Sequence, residues 1–153
     1  MKKLRILLMM VLVAGFVACE DKETEKPIIE IGDGTYVGKL SVDQNDDTIY
    51  EQENVEINIE ISDDNTMKIV MLQVKFAEAM PMKLNMTIEG IETAETDNGL
   101  SLSGDNIIPI AAGGQFPLYT ITEMEGEVTS QNIEFSMMCG EYPLTFSGVV
   151  KSE

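Results

Sequence analysis

The chain has 153 residues, 44% hydrophobic and 24% charged, with 27 acidic against 10 basic side chains and no histidine, enough for one ordinary domain. Three of the basic residues, Lys2, Lys3 and Arg5, precede residue 19, so the remainder carries 7 positive and 27 negative groups, a formal −20, with no Arg, His or Trp. Those absences exclude Ser-His and Cys-His pairs, histidine metal sites and arginine clamps, and the negative field repels the phosphates of nucleic acids.

The amino terminus reads as a signal peptide over residues 1–18: a basic start, an apolar stretch from Ile6 to Ala18, then Cys19. Thirteen apolar residues make a helix of about 20 Å, too short for a hydrocarbon core of roughly 30 Å. Small Ala18 followed by Cys19 resembles the lipobox of bacterial lipoproteins, in which the thiol takes a diacylglycerol and cleavage leaves Cys19 first. An ordinary secreted leader or an uncleaved anchor are the alternatives. In the segment 19–33, Cys19 is followed by Glu20-Asp21-Lys22-Glu23-Thr24-Glu25-Lys26-Pro27, a polar tether with nothing to bury. Such an acidic cluster behind the cysteine resembles the surface-export signal of Bacteroidetes-type lipoproteins. The expected address is therefore an outer membrane, lipid-anchored and surface-exposed.

From Gly34 the hydrophobic period becomes two. Tyr36, Gly38, Leu40 and Val42 alternate with Val37, Lys39 and Ser41, and Val55, Ile57, Ile59 and Ile61 alternate with Glu56, Asn58 and Glu60. Thr66 to Phe76 is apolar on both parities, as in a strand covered on both faces or interrupted by a bulge. Leu84, Met86 and Ile88 continue the pattern, followed by Leu100 and Leu102, then Leu118 to Ile121, Met124 to Val128, Ile133 to Cys139 and Leu144 to Val150. Asp, Asn, Ser and Gly clusters separate these runs, and Pro81 puts a bend or one short helical turn into Lys75 to Met82. Eight or nine short strands with little helix predict an all-β, antiparallel sandwich or closed barrel over residues 34–153.

Gly34-Thr35-Tyr36, the run Phe76 to Met80-Pro81-Met82 before Leu84-Asn85-Met86-Thr87-Ile88, Asn106-Ile107-Ile108-Pro109, and Phe135-Ser136-Met137 before Pro143-Leu144-Thr145-Phe146-Ser147-Gly148 look like the calycin-like β-barrel domain of Bacteroidetes lipoproteins. The resemblance spans Gly34 to Val150 and implies a lipocalin-like calyx, in a family whose members mostly lack an assigned activity. Lipocalins open with Gly-x-Trp; here Tyr36 stands in the Trp position.

For chemistry the chain offers mainly carboxylates. Asp43, Asn45 and Asp47 have the opening spacing of an EF-hand loop, but Thr48 and Asn54 replace its Gly and closing Glu; turn formation is the ordinary role of such residues. A Glu pair could hydrolyse a glycoside, yet among 27 acids no pair stands out, so no catalytic residue, cofactor or metal ligand is assigned. Cys139 reads as a small buried hydrophobe. Ala111-Ala112-Gly113-Gly114-Gln115 lacks a phosphate-loop Lys and reads as a flexible loop at the barrel mouth.

Methionine is abundant, and its adaptable side chain either lines a plastic pocket or fills an irregular interior. The candidate ligand-lining positions are Tyr36, Met71, Met86, Met124, Phe135 and Met137. The expected function is a non-catalytic binding module, anchored to a membrane through Cys19, that holds a small hydrophobic ligand. The alternative is a solid barrel whose loops contact a protein or a glycan. A carboxylate glycosidase is the remaining option.

Overall fold

A computed structural model of the chain describes residues 30–152. Its strands are β1 (Gly34–Asp43), β2 (Ile49–Ser62), β3 (Thr66–Val74), β4 (Leu84–Glu95), β5 (Gly99–Gly104), β6 (Ile110–Ala111), β7 (Gly114–Gln115), β8 (Ile121–Thr129), β9 (Asn132–Cys139) and β10 (Tyr142–Val150). Eight of them pair antiparallel in the order β3-β2-β1-β10-β9-β8-β5-β4, and β3 pairs β4 to close the ring. Each barrel strand lies beside its sequence neighbour, so this is an up-and-down eight-stranded barrel, the shape that the resemblance implies. The short β6 and β7 form a hairpin hung on the start of β4, through Met86↔Ala111 and Thr87↔Ile110.

Alternation dictates what faces inward. Leu40, Val42, Val55, Ile57, Ile59, Ile69, Met71, Ile88, Ile133 and Leu144 are all buried, and no polar or charged residue is buried among the described residues. Outward positions carry Glu56, Glu60, Glu89, Glu127 and Glu134. A wall that is polar outside and apolar inside reverses the arrangement of a membrane-spanning barrel.

The two-sided run Thr66 to Phe76 resolves into a bulge. Gln73 adopts φ 52° and the register shifts between Met71 and Val74, so Met67, Ile69 and Met71 point inward before it, and Val74 and Phe76 after it. Gly90, with φ 78°, shifts β4 between Ile88 and Ile91 in the same way, and Glu123 at φ 52° shifts β8 between Ile121 and Met124. An extra residue lets a coiled strand keep its apolar side on the core while it bends.

Two aromatic rings meet in the interior. Phe135 and Phe146 stack with centroids 5.4 Å apart. Gly148 leaves the space that Phe146 occupies, since a Cβ there would lie 2.8 Å from Phe146 Cε1; at Gly126 a Cβ would lie 2.6 Å from Phe135 Cβ.

Two details differ from the alternation pattern. Leu118 to Ile121 is not one strand: Pro117–Tyr119 forms a 3-10 turn, with Pro117 fixing its first φ, and β8 begins at Ile121. Ala111 to Gln115 is an ordered hairpin, because Ala112 (φ 50°) and Gly113 (φ 81°) supply the two left-handed positions of a two-residue turn.

Candidate apolar pocket at the barrel mouth

The strands run so that all long connections gather at one end, here termed the mouth: Gln44 to Thr48, Lys75 to Lys83, Asp105 to Thr120, and the tight turn at Gly140 and Glu141. The opposite end, the base, has the turns Asp63 to Asn65, Thr96 to Asn98 and Ser130 to Gln131. Tyr36 closes the base: it is buried, and its hydroxyl donates to the Thr129 carbonyl at 2.9 Å. Desolvation raises the Tyr36 pKa above 10.0 and so keeps the phenol a donor.

At the mouth, Phe76, Met80, Leu84, Met86, Ala111, Phe116 and Tyr119 line an apolar pocket of about 120 Å³. Its aromatic wall is a continuous stack. Tyr119 lies 5.8 Å from Phe76 and 5.6 Å from Phe116, centroid to centroid. The 3-10 turn places Phe116 and Tyr119 on one side, with Tyr119 N–H donating to the Phe116 carbonyl at 3.0 Å. The β6–β7 hairpin supplies Ala111, and the loop after β3 supplies Phe76 and Met80. Met80 folds back, its sulfur accepting from Phe76 N–H at 3.1 Å.

Glutamine side chains hold that loop. Gln44 Nε2 donates to the Phe76 carbonyl at 2.8 Å, joining the β1–β2 turn to the pocket wall. Gln52 Nε2 donates to the Gln73 carbonyl at 2.8 Å and its Oε1 accepts from Lys75 N–H at 3.0 Å, continuing the β2–β3 ladder beyond its last backbone pair, Glu56↔Leu72. The connection before β8 is tied in turn by Ile121 N–H to the Ile107 carbonyl at 2.7 Å and by Phe116 N–H to the Pro109 carbonyl at 2.9 Å.

Of the six sequence candidates, only Met86 reaches the pocket. Met71, Met124, Phe135 and Met137 are buried in the interior packing, and Tyr36 sits at the base. Cys19 lies outside the described residues. Reading the sequence strand by strand passed over Phe76, Met80, Leu84, Ala111, Phe116 and Tyr119 as a set. The available signal was Phe116 and Tyr119 flanking Pro117, one helical turn apart.

Asp43 and Asp46 serve the mouth turn: Asp43 Oδ1 accepts from Asn45 N–H at 2.8 Å, and Asp46 Oδ1 from Thr48 N–H at 3.1 Å and from the Thr48 hydroxyl. These are the Asx contacts expected of such turns. The Cys139 thiol is 1% exposed, lies 3.9 Å from the Tyr119 carbonyl, and is pushed by burial up to about 12. A thiol in that state is neither a ready nucleophile nor a metal ligand.

Comparison with family models, with curated protein sequences and with solved structures gave no match to this chain.

Proposed function

We propose that this chain is a lipid-anchored, surface-exposed lipoprotein of the calycin-like Bacteroidetes type, whose barrel is a non-catalytic binding module taking a small apolar group at its mouth. The observation that carries the reading is the pocket of about 120 Å³ lined by seven apolar or aromatic residues. A dry cavity of about 150 Å³ suffices to bind benzene, so a space of this size takes a ring or a branched alkyl end. The leader at 1–18 and Cys19 support the anchor; no acid among the described residues is buried, which supports a role without catalysis, since acid-base work calls for a carboxylate held in a shielded site. The burial of the inward side chains in one apolar cluster favours, as a second reading, a solid barrel that acts through its loops on a protein or glycan.

The test combines two measurements. Native mass spectrometry of the chain purified from its own cells reports any retained apolar molecule. Titration of the full chain with benzene, followed by ¹³C-methyl methionine NMR, is expected to shift the Met80 and Met86 methyls and spare Met71 and Met124. No retained mass together with unmoved Met80 and Met86 methyls refutes the reading.

A further inference from the structure

The pocket is too small for a free lipid, since sites for drug-sized ligands enclose about 300 to 1,000 Å³. It takes one side chain, and its surroundings specify which kind of molecule brings that side chain. Four large hydrophobics lie exposed on the mouth segments: Ile49 at 64%, Met82 at 69%, Ile108 at 40% and Leu118 at 85%. Exposed apolar side chains at the same end of the barrel as a one-residue socket match a polypeptide, which covers them while a single anchor enters.

Charge selects the polypeptide. The mouth connections carry Asp46, Asp47, Glu78, Asp105 and Glu141 against Lys75 and Lys83, and the Lys75 ammonium is turned onto the Glu78 carbonyl at 3.4 Å. The loop Phe76 to Met80 has two sides. Phe76 and Met80 line the apolar pocket, whereas Ala77, Glu78 and Ala79 line a neighbouring open cleft of about 760 Å³ that also contains Asp46, Ile49, Tyr50 and Glu51. An extended chain crossing this loop sets an apolar side chain on one side and its neighbours over carboxylates on the other. The whole domain reinforces the choice: residues 30–152 contain 22 acids and 5 lysines, a field that concentrates cations at its clefts and repels anions such as fatty acids.

We propose that the mouth docks a basic peptide segment, one apolar side chain entering the pocket of Phe76, Met80, Met86 and Tyr119 while flanking Lys or Arg residues lie over Asp46 and Glu78. This rests on the reading of the pocket as a binding site and names its partner. The probes are three capped pentapeptides, Lys-Lys-Leu-Lys-Lys, Glu-Glu-Leu-Glu-Glu and Lys-Lys-Ala-Lys-Lys, titrated into the full chain with the same methionine methyl readout. The first is expected to shift the Met80 and Met86 methyls and to bind at least about tenfold more tightly than either of the others. Its affinity is expected to fall several-fold between about 50 and 500 mM NaCl. Glu78→Gln combined with Asp46→Asn is expected to weaken it, with the benzene shift unchanged. Equal binding of the acidic and basic leucine peptides overturns the proposal, as does equal binding of the leucine and alanine peptides, which would mark a diffuse polyelectrolyte contact. If benzene itself leaves both methyls unmoved, the pocket reading fails; if benzene binds and the peptides do not discriminate, only the choice of partner fails.

Discussion

Phe146→Ala probes whether the barrel is held by its filled interior. Phe146 is 2% exposed, stacks on Phe135 at 5.4 Å, and sits in the space left by Gly148. A buried Phe→Ala change costs about 3 to 5 kcal/mol, and losing an aromatic pair accounts for roughly 0.5 to 1.5 kcal/mol. The upper half of the range applies, because Gly148, which lies against the ring, brings no side chain that could collapse into the hole. We expect a loss of about 4 kcal/mol. A domain of about 120 residues unfolds with an entropy near 0.25 kcal/mol/K, so Tm falls by about 15 °C. Urea unfolding followed by far-ultraviolet circular dichroism is the assay, with the midpoint dropping and the slope m unchanged. A loss under about 1.5 kcal/mol at constant m would show that the ring is not seated against rigid neighbours, and would remove the basis for calling the interior filled.

Three further outcomes follow from single contacts. Tyr36→Phe deletes the donor to the Thr129 carbonyl and is expected to lower stability by about 1 kcal/mol in the same urea assay. Ala112→Asn places a residue tolerant of left-handed backbone at φ 50° in the β6–β7 turn and should raise stability by roughly 0.5 kcal/mol, read as an upward midpoint shift. Because burial pushes Cys139 from 9.0 up to about 12, the folded chain keeps a proton that the unfolded chain releases. Stability from this group is therefore complete below about pH 9 and declines as pH rises toward 12. Urea midpoints measured across that window should fall less steeply in Cys139→Ala, with Tyr36, also raised, contributing a residual slope of the same sign.

Strand identity was legible because one face of every barrel strand is buried, which forces alternation into the sequence at β1, the second half of β2, β9 and β10. It was less legible wherever an extra residue resets the phase. Gln73, Gly90 and Glu123 each reverse the inward parity within one strand, and a period-two pattern cannot distinguish that reversal from burial on both faces. Met71, Met124 and Met137 are buried in the interior, but an inward side chain lines a cavity or fills it with the same periodicity. The pocket was hidden for a different reason. Its walls come from a loop after β3, the start of β4, a two-residue strand and a 3-10 turn, segments that meet only because β3 closes onto β4 and the β6–β7 hairpin attaches to the same strand. No local pattern encodes that meeting.

On the proposed function, the two ends of the barrel divide stability from recognition. At the base the turns are short, Tyr36 is bonded across to Thr129, and both ends of the described chain converge, since Tyr36 pairs with Val150. Fourteen residues lie between Cys19 and Gly34, a reach of at most roughly 50 Å, so the proposed anchor at Cys19 would attach the domain by its base and leave the mouth at the free end. The mouth loops in turn stand on strands whose inward side chains form one buried apolar cluster, with Gln44 and Gln52 fastening them to the strand ends. That footing separates two classes of substitution. Changes at Phe135, Phe146 or Tyr36 are expected to alter stability with little effect on what an intact mouth binds, whereas Glu78→Gln and Asp46→Asn, the latter keeping the Oδ1 acceptor of the turn, are expected to alter binding with little effect on the urea midpoint, because those side chains are exposed and lie outside the core. A mouth that lost benzene binding in Tyr36→Phe while still folded would contradict this division, since Tyr36 lies at the opposite end of the barrel from the pocket.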